Sequence, residues 1–212
     1  MKLHWYGHAC FLFTNKQGGR LLIDPFNEKV GYEMPVFSSD VVLTSHGHLD
    51  HANVDAVIGP FACYVKPGQY KDHGFCITGF PTFHDDQNGA IRGPNTVFLV
   101  EADGCRILHL GDLGHILPQS IVDEIGRVDI LLLPVGGGYT IDAETAEKVR
   151  RQLSPVCTVP IHYKTAVCQL PIEGIDSYLQ LVPPEIVRHI GADADQTLLL
   201  RAPGVMIMEY AP

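Results

Sequence analysis

Six consecutive residues constrain this chain more than any others: His46-Gly47-His48-Leu49-Asp50-His51, placed directly after the apolar run Val41-Val42-Leu43-Thr44. A continuous apolar run of that kind suits a strand buried on both faces. The histidines therefore fall at the end of a core strand. His46 and His48, two apart in an extended loop, project to one side and can share a metal ion. Asp50 and His51 lie past a turn and can serve a second ion. Imidazole with carboxylate is a donor set for Zn²⁺, with Mn²⁺ or Fe²⁺ as alternatives. The bland reading is a solvated His-rich loop, and the spacing H-x-H-x-D-H straight after an apolar strand argues strongly against it.

Three more ligand-type residues close later apolar runs. His84 ends Phe80-Pro81-Thr82-Phe83, Asp112 follows Ile107 to Leu110, and His162 ends Val159-Pro160-Ile161. If these strand ends converge on one edge, His84 completes a first site with His46 and His48. His162 completes a second with Asp50 and His51, and Asp112 bridges the two. Asp50 and Asp112 are then the carboxylates expected to carry the chemistry. A metal-bound imidazole needs an acceptor for its other ring N–H, and Asp24, ending the run Arg20 to Asp24, is the preferred partner. His8 is placed around the same ligands. His4, His73, His109 and His189 read as structural or surface residues.

The remaining pattern says what frame holds these groups. With 212 residues, 46% hydrophobic and 18% charged, the chain can bury one sizeable core, and residues 1–212 are expected to form a single domain. Strands are expected at Lys2 to Tyr6, Ala9 to Thr14 and Arg20 to Asp24, the last two joined through Gln17-Gly18-Gly19. Thr96 to Ala102 and Cys105 to Leu110 flank Asp103-Gly104, a hairpin signal. The second half alternates: a helix at Pro118 to Ile125, a strand at Asp129 to Pro134, and a helix opened by Asp142 through Leu153. A strand at Val156 to Ile161 and a helix at Ile172 to Leu181 follow, then strands near Ile186 to Ile190, Thr197 to Arg201 and Val205 to Tyr210. Strand-rich halves separated by helices argue for an α/β protein: an αββα sandwich of two mixed β-sheets flanked by helices.

Composition also excludes partners. A net charge of −9, with no Lys/Arg cluster beyond Arg150-Arg151, argues against nucleic acid and anionic membranes. No two of the six cysteines stand at C-x-x-C spacing, which removes zinc knuckles and thioredoxin-like motifs. The opening Met1-Lys2-Leu3-His4-Trp5 lacks a signal-peptide pattern, and no apolar run nears the roughly 20 residues that span a bilayer. A cytoplasmic protein acting on a small molecule is the expectation; self-association into a homo-oligomer stays open.

From Asp24 through His46-x-His48-x-Asp50-His51, His84 and Asp112 to His162, the order resembles the metallo-β-lactamase superfamily. The likeness extends to small metal-dependent hydrolases similar to the ascorbate-6-phosphate lactonase group. It is carried by Gly7-His8-Ala9-Cys10-Phe11, Leu22-Ile23-Asp24-Pro25, His84-Asp85-Asp86 through Arg92-Gly93-Pro94-Asn95-Thr96, His109 to His115, Pro134-Val135-Gly136-Gly137 and Pro160-Ile161-His162-Tyr163. The resemblance implies a one- or two-metal site at the sheet edge, without fixing a substrate. Leu113 departs from it, standing where many relatives carry a small hydroxyl residue.

A hydrolase using a metal-activated hydroxide on a small ester, lactone or phosphodiester follows, with two divalent ions, zinc first. Arg92, His115, Tyr163 and Lys164 are the groups placed to contact an anionic substrate; an ion pair of Arg92 with Asp85 or Asp86 is the equal alternative. Two rival functions exist on the same scaffold. One is a non-catalytic metal-binding module; the other, less favoured because His48 stands where redox relatives carry a carboxylate, is a di-iron redox protein.

Overall fold

The computed structural model describes residues 1–33, 36–201 and 203–210. The chain opens with an antiparallel meander, β1 (Lys2–Gly7), β2 (Cys10–Thr14) and β3 (Arg20–Ile23). The β2–β3 turn is tied by the Asn15 side chain, which accepts from the Gln17 and Gly19 N–H groups. After β4 (Phe37–Ser38) come β5 (Val41–Leu43), β6 (Val57–Ile58) and β7 (Ala62–Tyr64), with β5 parallel to both β3 and β7.

A second antiparallel run follows: β8 (Gly68–Asp72), β9 (Phe75–Phe83), β10 (Pro94–Ala102) and β11 (Cys105–His109). As expected, Asp103 and Gly104 make the β10–β11 turn, with φ of 54° and 76°; positive φ at both central residues matches the twist of the paired strands. The rest alternates: α1 (Gln119–Ile125), β12 (Ile130–Pro134), α2 (Ala143–Leu153), β13 (Cys157–Ile161), α3 (Asp176–Leu179), β14 (Val187–Ile190), β15 (Asp193–Asp195), α4 (Gln196–Leu200) and β16 (Gly204–Met208).

These strands build two mixed sheets, ordered β15-β1-β2-β3-β5-β7 and β14-β16-β13-β12-β11-β10-β9-β8, beside a small β4–β6 pair. Period-2 alternation sorts the first sheet's side chains. Phe11, Phe13, Leu21, Ile23, Val41 and Leu43 face the second sheet. Cys10, Leu12, Leu22 and Val42 face outward, covered by Phe26, Val30, Tyr32, Val57, Cys168 and Ile172. Short turns and loops thus cover that outer face, while the longer helices pack against the second sheet. In β12, Ile130 to Leu133 are wholly buried, each contributing about 1.5–3 kcal/mol of hydrophobic stabilisation.

Helix α2 forms where the sequence signals it. Asp142 caps it by accepting from Thr145 N–H at 2.8 Å, and Ala143, Ala146, Val149 and Leu153 form its buried stripe. Two expectations fail. The helix at Ile172 to Leu181 shrinks to one turn, Asp176–Leu179, bounded by Gly174 and by Pro183-Pro184. The strand at Thr197 to Arg201 is instead the helix Gln196–Leu200, capped by Asp195 accepting from Leu198 N–H at 2.8 Å. A short apolar run does not distinguish helix from strand, and the cap decides it. Strand β8 and the first half of β9 were not expected from the sequence at all.

The parallel strands matter most for function. β3, β5, β11, β12 and β13 end at one edge of the sandwich, so the residues following them meet there, as ligands do at the carboxyl ends of strands in open α/β sheets.

Candidate metal centre

Each sequence-expected ligand follows a strand end at this edge, all from the parallel strands except His84, which follows the antiparallel β9. His46, His48, Asp50 and His51 follow β5, His84 follows β9, Asp112 follows β11 and His162 follows β13. The ligand atoms of His46, His48 and His84 lie within 4.8 Å of one another. So do those of His8, Asp50, His51 and His162, and those of His46, His51 and Asp112. Asp112 lies between the groups: Oδ2 is 3.1 Å from His84 Nε2 and 3.8 Å from His46 Nε2, while Oδ1 is 3.1 Å from His51 Nε2 and 3.4 Å from His162 Nε2.

Asp24 lies against His51 and Ser45. Its Oδ2 accepts from His51 Nδ1 at 2.9 Å and from Ser45 Oγ at 2.8 Å, and its Oδ1 accepts from Ser45 N–H at 2.7 Å. Because the Ser45 hydroxyl donates to Asp24, its lone pairs accept from His46 Nδ1, 2.9 Å away. One buried carboxylate thereby sets the tautomer of two imidazoles and aims both Nε2 atoms into the cage. Sequence reasoning missed Ser45, whose only cue was its place before the motif. It also missed Asn95, whose Oδ1 accepts from Asp112 N–H at 3.0 Å while its amide donates to Leu110 O at 3.0 Å.

The backbone is strained where the cage is built. His8, Asp24 and His162 take φ of 51°, 50° and 51°, a left-handed conformation that persists in bulky residues only when the surroundings over-determine it. Gly111, with φ of 54°, lets the Asp112 loop approach β5 so closely that a Cβ there would stand 2.5 Å from Ser45 Cβ.

Does this cage fit a cation? Buried polar atoms are nearly always hydrogen-bonded, yet His46 Nε2, Asp112 Oδ1 and His162 Nε2 have no partner of acceptable geometry among the described residues. Electrostatics agree. Burial would lower the His51 pKa, but Asp112 and Asp24 outweigh it and raise it well above the ordinary value. Burial would raise Asp112, but His162 and His51 hold it well below the usual carboxylate range. Burial pushes His46 down to about 3, leaving a neutral imidazole with a free lone pair. The carboxylates draw positive charge to the centre of the cage, and the histidines offer it nitrogen. The residues fit divalent metal ions.

A cavity of about 350 Å³ opens onto the cage, lined by His48, Asp50, His84 and Asp112 on one side and by Lys29, Arg92 and Tyr139 on the other. Arg92 lies over the Tyr139 ring, 4.7 Å from its centroid, and donates to Gly138 O at 3.3 Å. The alternative ion pair of Arg92 with Asp85 does not form. Asp85 instead accepts four backbone N–H groups, from Gln87, Gly89, Ile91 and Arg92. It thereby organises the loop that carries Arg92. Burial would raise the Asp85 pKa, and those four donors hold it at about 2. A larger groove, about 560 Å³ and mostly apolar, runs behind His46 but reaches no other ligand, and another of about 520 Å³ reaches only His84 among the ligands; the 350 Å³ cavity is the one lined by ligands of both groups.

Three residues expected to contact substrate are engaged elsewhere. His115 Nε2 accepts from Phe83 N–H at 3.1 Å and its Nδ1 donates to Ile116 O at 2.8 Å, so neither ring nitrogen is free. Tyr163 is buried against Trp5, ring centroids 5.9 Å apart. Lys164 donates its ammonium to Leu170 O at 2.8 Å. Leu113, the departure from the family pattern, is wholly buried in the core between the sheets. His109 is wholly buried and bonded to Ala9 O at 2.8 Å.

A sandwich of two mixed sheets with a His/Asp cage at the strand ends defines a metal-binding α/β protein. A family model described as a β-lactamase superfamily domain matches residues 2–162, ending on the last ligand of the cage. A UPF0173 metal-dependent hydrolase of Methanoregula boonei is 32% identical, the match covering 78% of this chain and 83% of the relative. A solved Thermotoga maritima structure, described as a proposed Zn-dependent hydrolase of the metallo-β-lactamase superfamily, matches with a TM-score of 0.83 at 35% identity over 99% of both chains. A metallo hydrolase from Ignicoccus hospitalis, 22% identical with a TM-score of 0.69 over 100% of this chain and 96% of its own, shares the fold. The chain belongs to the β-lactamase superfamily.

Proposed function

We propose that this protein, a metal-dependent hydrolase of the β-lactamase superfamily, holds two divalent ions, zinc first, and cleaves a small ester, lactone or phosphodiester that carries an anionic group. The observation supporting this is the shared cavity: His48, Asp50, His84 and Asp112 line the same space as Arg92 and Lys29.

Ions held by His46, His48 and His84 and by Asp50, His51 and His162, with Asp112 between, would supply a Lewis acid and an acidified water. The chain's own groups do the rest. Asp24 and Ser45 keep His51 and His46 oriented. Asp50, partly exposed to the cavity, is held below the usual carboxylate range by His8 and His51 against the effect of its burial, and as an ionised acceptor it can orient an attacking water. Arg92, braced on Tyr139, keeps N–H groups free for a carboxylate or phosphate. Lys29, whose ammonium has no partner among the described residues, stands across the cavity as a second cation.

The test compares wild type with Arg92→Ala on matched pairs of neutral and anionic esters, lactones and phosphodiesters. The proposal expects KM for the anionic member to rise at least tenfold and the neutral member to change little. Equal effects on both members would overturn the anionic assignment. No turnover of any pair by metal-loaded wild type would overturn the reaction class.

A further inference from the structure

The geometry points to His8 as a further metal ligand, which closes the deeper ion site with protein donors alone and leaves the outer site open to substrate. The proposal rests on the two-ion reading above.

His8 comes from the β1–β2 turn, distant in sequence from every other ligand. Its ring is wholly buried between His162 and His51, with ring centroids 4.2 and 4.9 Å away. Its Nε2 stands 3.2 Å from His51 Nε2 and 3.6 Å from Asp50 Oδ2, and His51 Nε2 is 3.9 Å from Asp50 Oδ2. Donors about 2.0–2.1 Å from one tetrahedral ion stand about 3.3 Å apart. The three separations lie at that edge length or a few tenths of an ångström above it.

Without an ion, the ring makes one side-chain hydrogen bond, between His8 Nε2 and His51 Nε2 at 3.2 Å. His51 Nδ1 is committed to Asp24, so an ion held by His51 would sit on Nε2, the atom that His8 Nε2 faces. The other neighbour, Asp50 Oδ2 at 3.6 Å, is beyond hydrogen-bond range. His8 Nδ1 also lacks a partner among the described residues. Nε2, the ring atom turned toward the cage, is therefore the only one with side-chain neighbours to act on.

The backbone holds the ring in this pose. The His8 carbonyl accepts from both Trp5 Nε1 and His162 N–H, at 3.2 Å each, which couples the left-handed His8 and His162 directly. Gly7 lets the turn lie flat on Tyr32, where a Cβ would come within 2.2 Å of the ring.

With His8 included, the two sites differ in kind. The deeper one has His8, Asp50, His51 and His162, with Asp112 beside them, and its three imidazoles are wholly buried. The outer one has His46, His48 and His84, with His48 exposed at the cavity. Closed donor sets mark structural ions and open ones mark catalytic ions. The deeper ion should therefore be retained and the outer one exchange.

The test uses the full chain and its His8→Asn variant, since Asn tolerates a left-handed backbone. Both are loaded with Zn²⁺ or Co²⁺ and dialysed against a chelator. Metal per chain is read by elemental analysis, and the Co²⁺ ligand field by visible absorption. Wild type should lose one ion readily and keep the other. His8→Asn should bind the retained ion more weakly by more than the roughly 10–100-fold that loss of an outer partner of a ligand costs, with the exchangeable ion unaltered and the Co²⁺ spectrum changed. A variant matching wild type in retention and spectrum would overturn the proposal. Wild type binding no metal would instead overturn the two-ion reading beneath it. Should the variant fail to fold, a crystal structure of Zn²⁺-loaded wild type decides: His8 Nε2 about 2.0–2.2 Å from an ion supports the assignment, and a separation beyond hydrogen-bond length refutes it.

Discussion

Asp24→Asn is the sharpest perturbation of the cage, because it keeps the shape and removes only charge and one acceptor. Asp24 is wholly buried and accepts three bonds of 2.7–2.9 Å, two from Ser45 and one from His51. An asparagine can satisfy His51 and the Ser45 hydroxyl with its oxygen. Its amide then faces the Ser45 N–H, donor against donor. Stranding that buried N–H costs about 1–3 kcal/mol, and weakening the charge-assisted bond to His51 adds roughly 1 kcal/mol, for a total near 2–4 kcal/mol in the metal-free protein. The sign of the pH dependence is fixed: burial opposes ionisation of Asp24, but His51 lowers its pKa below the ordinary 3.8. Its stabilisation is therefore present above that ordinary value and is lost as the pH falls through the folded one. The gap between wild type and variant should close in acid. Denaturant unfolding of the metal-free proteins at neutral and acidic pH measures this, and competition with a chromogenic chelator should show a 10–100-fold loss of metal affinity. A variant within about 0.5 kcal/mol of wild type, with unaltered metal affinity, would refute the role given to Asp24.

Two further predictions concern the loops that frame the cage. Asp85→Asn should weaken the Arg92 loop at neutral pH, since it removes a carboxylate held at about 2 by four backbone donors; hydrogen exchange of the Gln87 to Arg92 amides should show lost protection, a difference that shrinks as wild type is titrated from pH 4 toward 2. Gly111→Ala should destabilise the protein by about 1–3 kcal/mol through its left-handed φ and displace Asp112, because the added Cβ meets Ser45 at 2.5 Å; thermal melts with and without metal should show a larger loss for the loaded form.

How far the sequence reveals this site depends on the kind of residue. His46 to His51 were legible because their spacing follows a buried strand, and His84, Asp112 and His162 because each closes an apolar run. The parallel strands β5, β11 and β13 and the antiparallel β9 then carry all of them to one edge. Side-chain direction was not legible. Tyr163 and Lys164 adjoin a ligand, but the left-handed turn at His162 sends Tyr163 into the core and Lys164 toward Leu170. His115 lies in a family-like segment, yet its ring serves two backbone groups. His8 was expected around the ligands, and its ring stands among them, a nearness that depends on coupling between two distant turns. Among secondary elements, Thr197 to Arg201 misled because Leu198-Leu199-Leu200 is too short to show a period. The β8–β9 hairpin was missed because Gly68 to Asp72 is polar and half-exposed, with no apolar signal to read.

The central claim is that one cage binds two divalent ions. Titration of the metal-free protein with Zn²⁺, following bound metal per chain to saturation, tests it most directly. The account predicts saturation at two ions, with a proton released to solvent as metal displaces it from His51, whose pKa Asp112 and Asp24 raise. Saturation at one ion or none would contradict it.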